Sequence, residues 1–273
     1  MIIKPRKERV DILLVERGLF ETREQAKRSI MAGIIYSAET RLDKPGEKIL
    51  SDAPLIVKGN PLKYVSRGGL KLEKALKVFE LDVTNKIVLD IGSSTGGFTD
   101  CALQEGAAHC YALDVGYNQL AWKIRQDPRV TVMERTNFRH ATSDLFTAGQ
   151  PQFATIDVSF ISLRLILPTL KQIISEGGDV IALVKPQFEA GKGKVGKKGV
   201  VREYSTHLDV LKRIAEASFS EGYSLRGASF SPVTGGEGNI EFLFHLSADE
   251  IPEKLFDDEL FDTLIRDAYK ELV

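Results

Sequence analysis

From about residue 84 onward the chain switches repeatedly between two hydrophobic periods, and this constrains its fold more than any other feature. "KIVLDIG", "HCYALDVG", "VTVME", "QFATIDVS" and "DVIALVKP" are short apolar runs of strand type. Between them stand "GGFTDCALQEG", "NQLAWKIRQ" and "LRLILPTLKQII", which carry helical patterns. Strands alternating with helices predict an α/β domain built on a parallel, doubly wound sheet. A helix near 205–220 follows, then "SLRGASF" and "NIEFLFHLS", joined by "SPVTGGEG". Such a pair predicts that one strand runs antiparallel at or near an edge. The tail "DDELFDTLIRDAYKELV" aligns Leu260, Leu264, Ala268 and Leu272 and is expected to pack on the body.

Residues 9–60 follow a different pattern. Val10, Leu13 and Leu14 share one helical face, and Gly18 is placed to end that helix. Thr22-Arg23-Glu24-Gln25 spells a capping box, a hydroxyl at the N-cap and an amide three residues on. The helix it opens turns Ala26 and Ile30 inward and stops near Gly33. Arg23, Lys27 and Arg28 fall largely on its other side. "IIYS" and "APLIVKG" read as short strands around the turn-rich "LDKPGEK". Residues 1–67 hold 14 Lys and Arg against 9 Asp and Glu, while the remaining 206 hold 23 against 29. A basic module on an acidic body suggests an arm that meets a polyanion. The division is expected as a small domain, 1–61, and a large one, 62–273, with 62–70 as linker.

Composition excludes other classes. No run of 18 apolar residues is present, so no membrane-spanning helix is expected. "MIIKPRKERV" has no apolar core of signal-peptide length. Cys101 and Cys110 have neither metal-ligand nor redox spacing and are expected as reduced core thiols. A cytoplasmic protein without a metal site is the expectation.

"LVKPQFEAGKGKVGKKGVV" contains G-x-x-x-x-G-K from Gly191 to Lys197, close to the phosphate loop of nucleotide hydrolases. That loop needs a Ser or Thr hydroxyl after its Lys to bind magnesium, and here Lys198 follows. It should also open a helix directly, and no helical pattern begins before about Tyr204. The nucleotide-hydrolase reading therefore fails.

"VLDIGSSTGGFTD" ends the first strand of the sheet. Gly92, Gly96 and Gly97 permit tight turns and close approach of a ligand. Asp114 ends the second strand, where a carboxylate can accept both hydroxyls of an adenosine ribose. The spacing is not that of a dinucleotide loop, because Ser94 stands where its second glycine would be. Four charged residues also stand out by position. They are Lys71 in "SRGGLKLEKAL", Asp157 at the end of "ATIDVS", Lys185 at the end of "ALVKP" and Glu241 at the start of "EFLFHLS". Each also reads as an ordinary surface or capping residue, and spacing alone does not bring them together.

Three resemblances add to this. "RVDILLVERGLFETREQAKRSIMAGIIY" resembles the small RNA-binding module first seen in a small-subunit ribosomal protein, through Arg9, Asp11, Gly18, Thr22, Arg23, Ala26, Ile30 and Gly33. It implies a second helix lying on RNA backbone, with Arg9, Arg23, Lys27 and Arg28 as contacts. Asp90-x-Gly92 with glycines beyond resembles the first motif of S-adenosylmethionine-dependent methyltransferases. It implies Asp90 facing the methionine part and Asp114 holding the ribose. Gly92, Ser93, Ser94, Thr95, Gly96, Gly97 and Phe98 would line the cofactor. "SRGGLKL", "DIGSSTGGFTD", "LDVGYNQLAWKIRQDPRV", "ERTNFR", "DVSFISL", "LVKPQFEAGKGKVGKKGVV" and "GNIEF", in this order, resemble the TlyA family nearly end to end. That family is a branch of the FtsJ-like ribose 2′-O-methyltransferases whose members are also labelled hemolysins.

The TlyA resemblance implies a catalytic set of Lys71, Asp157, Lys185 and Glu241, and methyl transfer to the 2′-hydroxyl of a cytidine in ribosomal RNA or ribosomal subunits. Lys185 is expected to take the hydroxyl proton, or to orient it. An amine accepts a proton only when neutral; burial and a second ammonium favour that form, and carboxylates oppose it. Lys192, Lys194, Lys197 and Lys198 are then expected to form a mobile basic loop that binds substrate phosphates. A noncatalytic RNA-binding assembly factor and a cytolysin are the rival readings. Neither is supported by a signal peptide, a spanning segment or a broken catalytic set.

Overall fold

The central strands of the large sheet are buried along nearly their whole length, on both faces, as apolar runs covered by helices on either side require. In the computed structural model, which describes residues 6–20, 22–31, 33–58, 63–191, 193–196, 198–235 and 237–272, the chain divides into two compact units, residues 1–67 and 68–273. The sequence expectation put this boundary at 61/62; residues 59–62 lie outside the described residues.

The small unit is built from β1 (Lys7–Arg9), α1 (Val10–Glu16), α2 (Arg23–Met31), β2 (Ile35–Ser37), β3 (Thr40–Arg41), β4 (Lys48–Leu50) and β5 (Ile56–Val57). β1 pairs antiparallel with β4, and β2 pairs antiparallel with β3 and β5. The capping box forms. Gln25 N–H donates to Thr22 Oγ1 at 3.2 Å, and Thr22 N–H donates to Gln25 Oε1 at 3.1 Å. Val10, Leu14, Phe20, Ala26, Ile30, Ile35 and Leu42 make the core.

The large unit begins with α3 (Gly68–Val78). There follow β6 (Ile87–Ile91), α4 (Gly97–Gln104), β7 (His109–Leu113), α5 (Trp122–Arg125), β8 (Val130–Met133), β9 (Phe153–Ile156), α6 (Leu167–Ile173) and β10 (Asp179–Val184). A single turn, α7 (Pro186–Glu189), comes next, then α8 (Tyr204–Ser220), β11 (Ser224–Phe230), β12 (Phe242–Ser247) and α9 (Asp258–Leu272). The order across the sheet is β11-β12-β10-β9-β6-β7-β8. β6 pairs parallel with β7 and β9, β9 with β10, and β7 with β8. β12 runs antiparallel to both β10 and β11, so the reversed strand lies one place in from the edge. This is a seven-stranded, mostly parallel Rossmann-like sheet.

Leu89, Ile91, Tyr111, Leu113, Ala154, Ile156, Val180, Ala182, Val184, Phe242 and Phe244 point to one face. There they meet Leu167 and Leu170 of α6, Leu211 and Ile214 of α8, and Phe261, Leu264, Ile265 and Ala268 of α9. The tail helix therefore packs on the body. Val88, Asp90, Cys110 and Ala112 take the opposite parity and are also buried. The chain winds outward through β6, β7 and β8, then crosses to β9 and β10. The topological switch point falls between β6 and β9, where such folds place ligands. Two helical expectations need correction. α5 is only four residues long, and α7 places a helical turn directly after Lys185, well before Tyr204. Pro186 explains the second: its fixed φ and missing N–H suit the first position of a helix. Among the described residues no helix is long and apolar enough to cross a membrane.

Candidate active site

The four charged residues come together at one end of the sheet. Asp157 directly follows β9 and Lys185 directly follows β10, so both lie at the carboxyl edge. Glu241 precedes β12. Because β12 is antiparallel, with Phe242 opposite Val184, its start lies at that same edge. Lys71 reaches in from α3.

Lys185 Nζ lies 2.5 Å from Asp157 Oδ1, and Lys71 Nζ lies 3.4 Å from Asp157 Oδ2 and 2.8 Å from Glu241 Oε2. The chain Lys185–Asp157–Lys71–Glu241 thus alternates in charge and is almost enclosed, with side-chain exposures of 9, 19, 11 and 4%. Burial alone would lower the Lys71 pKa, but the Asp157 and Glu241 carboxylates outweigh it and raise it. Burial alone would likewise raise Asp157, but the two ammonium groups hold it below the usual carboxylate range. The charges of Lys71 and Asp157 are therefore kept by their neighbours.

Sequence reasoning missed several further contacts. Lys185 Nζ also donates to Ser159 Oγ at 3.2 Å, and Gln187 Nε2 donates to Glu241 Oε1 at 3.3 Å. Phe160, 91% exposed, has φ of +64° and lies with its ring centroid 5.0 Å from that of Phe188. A bulky residue at positive φ is rare and costs about 1–3 kcal/mol, a strain that tends to collect at functional sites. The nearness of "SF" to Asp157 and of "QF" to Lys185 was the available signal.

The glycine loop lies beside this cluster. Gly92 has φ of +86°, and a Cβ there would stand 2.5 Å from the Asp157 carbonyl oxygen. Only glycine lets β6 and the end of β9 approach so closely. Gly96, with φ of +92°, is similarly close to Leu120, at 2.8 Å. Asp114 accepts from Ser94 N–H at 2.8 Å and from Gly116 N–H at 2.6 Å, one on each oxygen. It is half-buried, and two of its roughly four lone-pair sites stay open.

Asp90 behaves differently from its expected role. It is 1% exposed and accepts from Thr99 N–H at 3.0 Å, Thr99 Oγ1 at 2.6 Å and Thr155 Oγ1 at 3.0 Å. Strand parity turns it under α4 rather than toward the edge. Burial pushes its carboxyl up to about 6 against the pull of those donors, with a further push from Asp157. Phe98 is likewise enclosed, at 4% exposure. Ser93 is buried, Gly92 and Thr95 are half-buried, and Ser94 is exposed with φ of +47°. Asp90 and Phe98 are thus enclosed behind the loop, while Asp114 and Ser94 stay partly or fully exposed on it.

A family model for FtsJ-like methyltransferases matches residues 64–248. The chain belongs to the FtsJ-like methyltransferase family. It is 65% identical over 274 residues to the Bacillus subtilis protein "Putative rRNA methyltransferase YqxC", covering 98% of this chain and 96% of that one. It is 42% identical over 242 residues to the Mycobacterium tuberculosis "16S/23S rRNA (cytidine-2'-O)-methyltransferase TlyA", covering 88% of this chain and 90% of that protein. The solved structure "Putative hemolysin from Streptococcus thermophilus" superposes with a TM-score of 0.79 at 55% identity, covering 98% of this chain and 97% of that one.

The basic residues of this FtsJ-like chain are not all free. In the small unit, Arg9 Nε lies 2.9 Å from Asp11 Oδ1, and Arg23 Nη2 lies 2.9 Å from Asp11 Oδ2. Asp11 is fully buried, and these partners, Arg9 first, lower its pKa to about 2. Both guanidinium groups are thereby fixed in place while about half exposed. Lys27 pairs with Glu24 at 2.7 Å, and Arg28 is half-buried. In the glycine-lysine segment Lys192 and Lys197 lie outside the described residues. Lys198 is exposed, and Lys194 pairs with Asp209 at 2.7 Å. The segment is tethered by Asn239, whose Oδ1 accepts from Val201 N–H and whose Nδ2 donates to the Gly199 carbonyl, both at 2.9 Å. Its described part is thus hydrogen-bonded at Gly199 and Val201.

Proposed function

We propose that the chain transfers a methyl group from S-adenosylmethionine to the ribose 2′-hydroxyl of a cytidine in ribosomal RNA. The observation that carries the reading is the enclosed Lys185–Asp157–Lys71–Glu241 array beside the glycine loop. S-adenosylmethionine supplies an electrophilic methyl on a sulfonium. The open lone pairs of Asp114 suit its ribose hydroxyls, and Ser93, Ser94, Thr95, Gly96 and Gly97 suit its adenosyl group. Asp90 and Phe98 act at one remove, by shaping that loop.

In this reading the ribose oxygen forms a bond to the methyl carbon as the carbon–sulfur bond breaks, and the hydroxyl proton leaves to a base. Lys185, at one end of the array, meets that hydroxyl. As a neutral amine it accepts the proton; as an ammonium it orients the oxygen. Glu241 holds Lys71, Lys71 holds Asp157, and Asp157 holds Lys185. Positioning of this kind supplies much of the rate in a displacement between two bound groups. Phe160 presents an exposed ring on which the target base can stack, a contact worth about 1–3 kcal/mol per base. Arg9, Arg23, Lys27, Arg28, Lys194 and Lys198, with Lys192 and Lys197, are the proposed contacts to RNA backbone.

The intact charge array argues against a purely noncatalytic assembly factor, and the helices described offer no membrane span for a cytolysin. The test is methyl incorporation from labelled S-adenosylmethionine into ribosomal subunits and naked rRNA lacking the modification. Wild type is expected to label a cytidine 2′-hydroxyl, and Lys185→Ala and Lys185→Arg to label none while still binding cofactor. Wild-type rates in both variants would remove Lys185 from the chemistry. No incorporation by wild type into any of these RNAs would overturn the reading.

A further inference from the structure

Glu189 takes no part in the chemistry above, yet its carboxylate is buried within reach of it. It is 6% exposed. Its Oε2 accepts from Ser162 Oγ at 2.6 Å and its Oε1 from Leu163 N–H at 2.7 Å. Its own carbonyl accepts from Arg213 Nη2 of α8 at 2.7 Å. Glu189 closes α7, the turn that starts from Lys185, and Ser162 and Leu163 open the next turn after Asp157.

We infer that Glu189 is a positioning residue for methyl transfer, holding the segment that carries Asp157, Ser159 and Phe160 in register with the one that carries Lys185 and Phe188. The inference rests on the transferase reading.

The ladder between β9 and β10 ends at Ile156 opposite Ala182. Past that point, among the described residues, no backbone hydrogen bond joins 157–165 to 185–190. Side chains hold the two segments together instead. Two of those links, Lys185 to Asp157 and Ser159, and Phe160 to Phe188, use groups that face the substrate. The Glu189 link is the one built from groups outside the proposed chemistry, and its bond to Leu163 N–H is buried. It fixes the residues immediately after Phe160, whose positive φ persists only where its surroundings over-determine it. Burial raises the Glu189 carboxyl above its usual range, the Ser162 and Leu163 donors pulling against it. A buried carboxylate kept under that penalty is expected to have a use, and both of its oxygens are spent on this one turn.

The experiment measures single-turnover methyl transfer and amide exchange over 158–165 in wild type, Glu189→Ala, Glu189→Gln and Ser162→Ala. Folded enzyme is counted by titration with S-adenosylhomocysteine. Glu189→Ala is expected to lower kcat per folded molecule by about 10- to 100-fold, the cost of a misplacement near 1 Å. KM for RNA and cofactor affinity stay unchanged, and exchange at Leu163 speeds up. Glu189→Gln keeps an acceptor for Leu163 N–H and gives Ser162 Oγ a donor, so it restores most of kcat. If Glu189→Ala does not fold, Ser162→Ala, which deletes one bond, is expected to lower kcat by about threefold to tenfold on the same scale. Wild-type kcat per folded molecule in Glu189→Ala, or in Ser162→Ala where that variant stands in, overturns the inference, because a merely structural role reduces only the folded fraction. If wild type itself transfers no methyl, the transferase reading fails separately, and unchanged Leu163 exchange in Glu189→Ala then refutes the clamp.

Discussion

Replacing Gly92 by Ala tests the geometry of the site through two backbones. The new Cβ would meet the Asp157 carbonyl oxygen at 2.5 Å, where ordinary contact begins at 3.4 Å. Relief needs about 0.9 Å of movement, and displacement on that scale at a reacting centre costs about 10²-fold in rate. Asp157 moves with its carbonyl, so Lys185 and Lys71 lose their shared partner. Two energies add. The left-handed φ of +86° costs an alanine about 1–2 kcal/mol, and the overlap costs about 1–3 kcal/mol more. At about 2–4 °C per kcal/mol for a unit of this size, Tm falls by roughly 4–20 °C. Gly177→Ala is the control, since its φ is +68° but nothing lies within 4 Å of its Cβ. It is expected to cost about 1–2 kcal/mol and leave turnover per folded molecule unchanged. The assay is thermal unfolding with methyl transfer normalised to folded enzyme. Equal Tm and equal turnover in the two variants would refute the argument that the close approach at Gly92 sets the site.

Other expectations follow from the same structure. Phe160→Ala should lower kcat/KM by about 5- to 150-fold, as removal of one stacked base predicts, and Phe160→Tyr should restore it; transfer that ignores ring size would exclude a stacking role. Neutralising Lys192, Lys194, Lys197 and Lys198 should weaken RNA binding and flatten its dependence on salt, by up to about 0.7 in log–log slope for each single-strand phosphate that the variant no longer neutralises. A fall in cofactor affinity instead would misplace those lysines. Asp11 is held at about 2 by Arg9 and Arg23, so its contribution to stability is full above the ordinary carboxylate range and is lost as pH falls through about 2. Asp11→Asn should therefore destabilise the protein at neutral pH and remove part of the acid dependence between about pH 4 and 2, read by unfolding at each pH.

Much of the fold was legible because it depends on local rules. Short apolar strand-like runs and helical runs alternate from residue 84, and sheet and helices follow them. Thr22 and Gln25 cap their helix at the spacing that sequence shows. Gly92 and Gly96 take the positive φ that only glycine adopts without strain. Cys101 and Cys110 are buried and form no disulfide, as their spacing suggests.

What tertiary structure decided concerns residues far apart in the chain. Lys71 and Glu241 are 170 positions apart and 2.8 Å from each other. They meet because β12 runs antiparallel and so begins where the parallel strands end, a fact of topology that no local pattern encodes. Asp90 and Asp114 look alike in sequence, each a carboxylate at or near a strand end. Strand parity encloses the first under α4 and leaves the second half-open beside the loop. Glu189 reads as one more charge before a glycine-rich segment until the turn after β9 is laid against it. Sequence determines which segments can be strand, helix or tight turn, because those depend on near neighbours. Which charges share a buried site depends on strand order and direction, and only the assembled sheet sets those.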